Sequence, residues 1–367
     1  MSEHDAKLQE NDGLESFRRE SDASVLCPGR EAQFTEQDLA LIDALQSSPR
    51  APWAAIGRAL GIDATTAARR WERLTTGGLA WVTAYDSART AAVAFVEVSS
   101  EPGAREALSA RVCALPWVFG VEEVTGEFDL LLAVGAYRPS ELGRAVHHAI
   151  GGLDGVRSMR TQLGISLYGE GGDWRIRAME PAGRAGLGTA GPPSRTPYGV
   201  RDSPRRSAQD RALLAALGGD ARLGYTALAA ATGLGEHVAR RGVGRMLRDG
   251  DLTLRCDFAH PLAGLPAMVT YRMTVPHRLL RQTGPDLARM GQVRLCASVT
   301  GPHNLFVQVL LHSLSAIESF EAQLAEAFPA LEIADRAVTT GARKRMGWLL
   351  DDYGRAVGRV PLAPPEG

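Results

Sequence analysis

The chain repeats itself, and that constrains its fold more than any other feature. LGIDATTAARRWERLTTGGLAWV has a counterpart in TGLGEHVARRGVGRMLRDGDLTL. The spacing from Gly61 to Gly78 equals that from Gly233 to Gly250, and Ala68-Arg69-Arg70 aligns with Ala239-Arg240-Arg241. Each stretch follows a helix-like segment, FTEQDLALIDALQSS or RRSAQDRALLAALGG. Downstream, GVEEVTGEFDLLLAVGAYRPSEL corresponds to RLCASVTGPHNLFVQVLLHSLSAI through Val-Thr-Gly and then Asp129-Leu130 or Asn304-Leu305. VRSMRTQLG and LEIADRAVT complete the match. Regions that match in the same order mark an internal duplication. One unit must therefore fold twice, and each copy has a partner for its apolar face.

Breaks in composition set the boundaries. Residues 1–33 are polar and irregular and read as a disordered tail. Residues 169–204 are rich in glycine and proline without apolar periodicity, and read as a flexible linker. Residues 346–367 read as a C-terminal tail. The parts between are helical domains at 34–84 and 205–256 and mixed domains at 90–168 and 264–345. A chain of 367 residues has room for these. The net charge of -1 argues against coating nucleic acid by bulk charge and leaves a local basic patch open.

Each helical domain reads as a helix-turn-helix. Leu39, Leu41, Ile42 and Leu45 form an apolar stripe behind the capping residue Thr35. Ala55, Ile56, Ala59 and Leu60 make a short second helix stopped by Gly61. Asp63 caps a third helix, Ala64 to Thr76, whose buried stripe is Ala67, Trp71 and Leu74. LAWVTAY then reads as a strand, the wing. The mixed domain alternates strand and helix in the order βαββαβ, a ferredoxin-like sheet with helices on one face. The fold class is thus α+β, two tandem repeats, each a winged helix-turn-helix domain followed by a ferredoxin-like βαββαβ sensor domain.

The third helix has the chemistry to read DNA. Its outward positions are Thr65, Thr66, Arg69, Arg70 and Arg73. Threonine donates to phosphate or touches a thymine methyl, and arginine pairs with guanine or neutralises phosphate. The second copy offers His237, Arg240, Arg241 and Arg245. There Gly242 and Gly244 weaken the helix by roughly 0.5–1 kcal/mol each. Three roles stay open for that copy: DNA contact, reading a different half-site, and a purely structural role.

A helix-turn-helix followed by βαββαβ resembles the Lrp/AsnC (feast/famine) family of transcriptional regulators. FTEQDLALIDALQSSPRAPWAAIGRALGIDATTAARRWERLTTGGLAWV and GVEEVTGEFDLLLAV carry the resemblance. Asp63 stands where serine is usual and Trp71 where a smaller apolar residue is usual. Gly126 and Asp129 match the family's Gly-x-x-Asp turn; in the second copy Gly301 remains and Asn304 replaces the aspartate. The resemblance implies a DNA-binding domain joined to a sensor of the type called RAM or AsnC. It implies an effector, such as an amino acid or related metabolite, near Gly126, Glu127, Asp129, Gly301, His303 and Asn304. A carboxylate suits an amino group and an amide does not, so the two pockets would differ. The implied partners are double-stranded DNA carrying an imperfect palindromic operator, and a second half that closes an intrachain pseudo-dimer within a homo-oligomer. The expected location is the cytoplasm, on the nucleoid when DNA-bound.

Two rival readings remain. Sirohaem decarboxylases resemble the same layout, and His303, Arg294, Arg336 and the pair His147-His148 are the residues such an enzyme would draw on. A sensor or adaptor without DNA binding is the other. No enzyme activity, cofactor, metal site or membrane span is expected. Cys27, Cys113, Cys256 and Cys296 lack metal or redox spacing, and His147 and His148 diverge by about 100° on a helix.

Overall fold

The computed structural model describes residues 34–87, 92–187, 196–197 and 207–365. The expected N-terminal tail, with Cys27, lies outside them. The first helical domain contains α1 (Glu36–Ser47), α2 (Trp53–Leu60) and α3 (Ala64–Thr76), followed by strand β1 (Ala80–Asp86). Thr35 and Asp38 form a reciprocal capping box at the start of α1. Asp63 caps α3 by accepting from the Thr66 N–H. Ala67, Trp71 and Leu74 are buried, as the stripe requires.

The order then runs β2 (Ala92–Ser100), α4 (Arg105–Cys113), β3 (Val118–Val124), β4 (Leu130–Ala136), α5 (Pro139–Ala145) and β5 (Val156–Gly169). After α5 a π-turn, Val146–Ile150, carries His147 and His148, whose rings meet edge-on at 4.9 Å. A short helix α6 (Pro181–Ala185) and a two-residue strand β6 (Thr196–Pro197) follow. The second half has the same succession: α7 (Ala208–Gly219), α8 (Tyr225–Thr232), α9 (Glu236–Arg248), β7 (Leu252–Phe258), β8 (Ala267–Thr274), α10 (His277–Ala288), β9 (Val293–Val299), β10 (Leu305–Leu311), α11 (Ala316–Ala327) and β11 (Glu332–Arg345). Two short strands, β12 (Trp348–Leu350) and β13 (Ala356–Arg359), end it.

The two mixed domains close on each other. Their strands form one ring, β3-β4-β2-β5-β9-β10-β8-β11, in which β5 pairs with β9 and β11 returns to β3. The result is a β-barrel, which removes the open edge of each four-stranded sheet. Helices cover two outer cores, one around Val96, Leu108 and Leu132, the other around Val269, Phe320 and Val307. The barrel interior holds Phe95 and Phe306, whose rings stack at 4.0 Å. Such an aromatic pair adds about 0.5–1.5 kcal/mol beyond its buried area.

The barrel also encloses charge. Glu97 is fully buried and meets Arg160 at 2.5 Å, with Arg272 on its other oxygen. Arg272, also buried, pairs in turn with Asp335. Glu97 opposes Arg160 across the β2–β5 ladder, and Arg272 opposes Asp335 across β8–β11. The two halves thus carry one charge pair with its signs exchanged.

Four sequence expectations are corrected here. First, the two expected wings are not separate, because β1 pairs antiparallel with β7 and the two halves share one ribbon, Ala80 opposite Phe258. Second, the expected linker is ordered over its first half: Trp174, Ile176 and Met179 join the helical core. Asp43 and Gln46 on α1 anchor it by accepting from the Met179 and Ile176 N–H groups, at 2.8 and 2.9 Å. Third, residues 346–365 are not a loose tail, since β12 and β13 extend the sheet. Fourth, α3 and α9 superpose with Ala67 against Ala239 and Arg69 against Arg241, one residue away from the Ala-Arg-Arg alignment. The buried stripe Ala239, Val243 and Met246 sets that register, because core positions outweigh matching surface arginines.

Candidate functional site

The two helix-turn-helix units form a fixed pair with one common core. A reciprocal clasp holds them. Arg222 donates to the carbonyls of Pro49 and Ala51, at 2.6 and 3.0 Å, and its guanidinium lies 3.9 Å from the centre of the Trp53 ring. Arg50 does the same in reverse, to the Ala221 and Leu223 carbonyls, over Tyr225. These turns start α2 and α8, so the clasp sets how α3 and α9 sit relative to each other. Burial lowers the Arg222 guanidinium to about 10, with Asp220 holding it up. Both arginines stand the same number of residues before the glycine that ends the second helix, a repeat signal that sequence reading passed over.

On α3, Thr65 and Arg69 are exposed, and among the described residues neither side chain has an ion pair. Thr66 is tied by its hydroxyl to Asp63, which holds that carboxyl below its ordinary value. Arg70 and Arg73 turn back to α1. Arg73 reaches buried Asp38 at 2.6 Å, and Arg70 reaches Asp38 at 3.4 Å and Gln37. Burial pushes the Asp38 carboxyl up, but the Thr35 N–H and hydroxyl and Arg73 outweigh it, leaving it below the usual range. The expected five-residue reading face is thus divided: Arg70 and Arg73 hold the helix in place, leaving Thr65 and Arg69 outermost.

The second unit has the same division. Arg245 pairs with Asp210, the counterpart of Arg73 with Asp38. Arg240 is held by Glu236 at 2.9 Å and stacks on Tyr225. His237 and Arg241 are exposed. Gly242 does not break α9. A Cβ there would stand 2.7 Å from the Leu213 side chain, so the glycine admits α7 at close range.

The Gly126 and Gly301 hairpins, where the effector is expected, are built alike, and partly as structure. Gly126 and Gly301 adopt φ of 103° and 111°, which L side chains rarely take. Asp129 accepts from the Ser100 N–H and hydroxyl, at 2.7 and 2.9 Å. Asn304 accepts from the Val275 N–H and donates to its carbonyl. Both staple the hairpin to the end of a neighbouring strand, a structural role beside the expected one. An amide can return a bond to a carbonyl and a carboxylate cannot, which accounts for the exchange. Glu127 is exposed, and His303 meets Thr274 at 3.3 Å. Thr125 bonds to Val338, and Thr300 to Leu163, so each loop abuts the last strand of the other half.

The residues of the enzyme reading are scattered. Arg336 pairs with Glu321, His147 and His148 sit on the π-turn, and His303 lies at its hairpin. Of this set, Arg294 alone lines the cavity of about 400 Å³ between the ribbon and the barrel. Among the described residues no acidic, histidine or cysteine cluster fits a metal ion, and no helix is long and apolar enough to cross a membrane.

Residues 34–75 match the AsnC-type helix-turn-helix domain and residues 93–172 the Lrp/AsnC ligand binding domain. An uncharacterised HTH-type transcriptional regulator of Pyrococcus abyssi is 25% identical over 136 residues, 37% of this chain and 86% of that protein. One from Pyrococcus furiosus is also 25% identical, over 37% of this chain and 92% of its own. Among solved structures, the siroheme decarboxylase NirDL shares the fold over 85% of this chain and 93% of its own, with a TM-score of 0.54 at 14% identity.

Proposed function

We propose that the whole chain is a sequence-specific DNA-binding regulator of Lrp/AsnC type whose second half is a diverged copy of the first, a reading that starts from the matches over residues 34–75 and 93–172. The reciprocal Arg50–Arg222 clasp carries the reading. A pair of helix-turn-helix units must hold its recognition helices at a set spacing to engage successive major grooves, and the clasp does this within one chain. The two helices differ at their outermost positions, Thr65 and Arg69 on α3 and His237 and Arg241 on α9. The preferred operator is therefore an imperfect palindrome. The effector is an amino acid or related metabolite, taken near the Gly126 and Gly301 hairpins, with Glu127 and His303 as its nearest side-chain candidates.

Selection of genomic fragments in vitro, followed by sequencing across a salt series, tests the proposal. A recurring asymmetric palindrome whose binding weakens steeply with salt supports it. Absence of any enriched sequence would overturn it and favour the sensor reading. Turnover of sirohaem by the purified chain would favour the enzyme.

A further inference from the structure

The molecule departs from its own two-fold pattern beside the shared ribbon. On one side, the segment after β5 fills the groove between helix α1, the ribbon and the barrel. Trp174 donates to the Gly291 carbonyl at 2.8 Å and stacks near Phe258, while Asp43 and Gln46 hold the backbone behind it. The matching groove on the other side lies along α7. There Ala215 and Gly218 replace Asp43 and Gln46, so at these positions α7 offers no side-chain acceptor to a covering segment, and Arg359 of β13 donates to the Ala215 carbonyl instead, at 3.2 Å. Pro116, the counterpart of Gly291, accepts instead from the Ala363 N–H, at 3.3 Å. What remains is the cavity of about 400 Å³, with residues 362–364 forming part of one wall. That volume suits a small molecule.

The lining gives its chemistry. Phe95, Phe306, Leu131 and Leu214 make the walls apolar. Three buried guanidiniums, Arg255, Arg294 and Arg345, border it. Arg255 and Arg294 share the single carboxylate of Asp257, at 2.6 and 3.0 Å. Arg345 meets the ring of His260, which burial holds well below its ordinary value and so keeps neutral. Glu122 and Glu170 also line the space, but burial raises both, Glu170 to about 7. Arg255 and Arg294 thus share one carboxylate and Arg345 has an imidazole as its hydrogen-bond partner, an arrangement that favours a further anion, since a buried charge is costly without a full partner.

We propose that this cavity binds a small molecule with one anionic group and an apolar, planar body, the anion meeting Arg294 and Arg345 and the body lying against Phe95 and Phe306. The site is separate from the Gly126 and Gly301 hairpins, and its binding does not depend on the regulator reading. Its walls include both the shared ribbon and α7, so an occupant touches the DNA-binding pair and the barrel at once.

The test uses two fluorescent probes on the full chain: 1-anilinonaphthalene-8-sulfonate and N-phenyl-1-naphthylamine, the same body without the sulfonate. The sulfonate is expected to saturate one site per chain and to bind at least about tenfold more tightly than the neutral probe, a factor worth 1.4 kcal/mol. Arg294→Gln should remove that advantage and leave the neutral probe unchanged. Ala133→Phe should abolish binding of both, with an unaltered near-ultraviolet circular dichroism spectrum. Equal affinity of the two probes for the unaltered protein, or no saturable binding, would overturn the proposal without any variant. So would full binding by a folded Ala133→Phe protein.

Discussion

Replacing Glu97 by Gln tests the charge network that closes the barrel. Glu97 is fully buried and Arg272 nearly so, whereas Arg160 and Asp335 are 32% and 41% exposed. The outer two can turn to water; the inner two cannot. Removing one partner of a buried pair leaves an uncompensated charge, at a cost of about 3–5 kcal/mol. Glu97→Gln should therefore destabilise the barrel by that amount, since Arg272 keeps only half-exposed Asp335. Arg272→Met should cost less, because Glu97 retains Arg160 and the Gln162 amide, at 3.3 Å. The double variant leaves no buried charge. Its cost should fall short of the sum of the single changes by about 2–3 kcal/mol, within the range for coupled neighbours. Urea unfolding followed by far-ultraviolet circular dichroism gives all three values. Additive costs would refute the reasoning, because independent residues show no such shortfall. The network also bears on partner choice. Two first halves would oppose Glu97 to Glu97 and two second halves Arg272 to Arg272, whereas the unlike pairing joins opposite charges.

Two further outcomes separate reading residues from supporting ones and fix a pH dependence. Arg69→Ala should weaken operator binding with no change in melting temperature, while Arg73→Ala should destabilise the helical domain by about 1–2 kcal/mol by stripping a partner from buried Asp38; a thermal melt beside a binding titration distinguishes them, and the reverse pattern would reject the division. Glu170 is raised to about 7 by burial and Asp173, against about 4.5 when unfolded, so the folded state holds this proton more tightly. Its contribution is fully present below about pH 4.5 and is lost as pH rises through 7, at most about 3 kcal/mol in all. Glu170→Gln should thus be more stable than the unaltered protein at pH 8 and level with it near pH 5; parallel stability curves would show that the group does not titrate in this window.

Much of this architecture was legible in sequence because it rests on local patterns. The stripe of Ala67, Trp71 and Leu74 was readable at helical spacing, as were the Thr35 and Asp63 caps and the βαββαβ alternation. The reading face was less legible. Whether an arginine faces DNA or folds back depends on what lies beside it, and Asp38 is far from Arg73 in sequence. The ordered segment around Trp174 looked like a linker because its anchors, Asp43 and Gln46, belong to another element. The cavity arginines were missed, Arg294 excepted, because no spacing links Arg255, Arg294 and Arg345.

By itself the sequence determined the helices, strands, caps and turns that each half forms. Side-chain period and backbone preference act over a few residues and survive without a partner. Only the tertiary structure decided how the two halves meet: one shared ribbon, one closed barrel and a clasp of exchanged arginines. It also decided where their symmetry fails, with Asp43 and Gln46 recruiting a segment on one side while Ala215 and Gly218 leave a cavity on the other. Those outcomes depend on packing and charge compensation between residues distant in the chain, which no local pattern records.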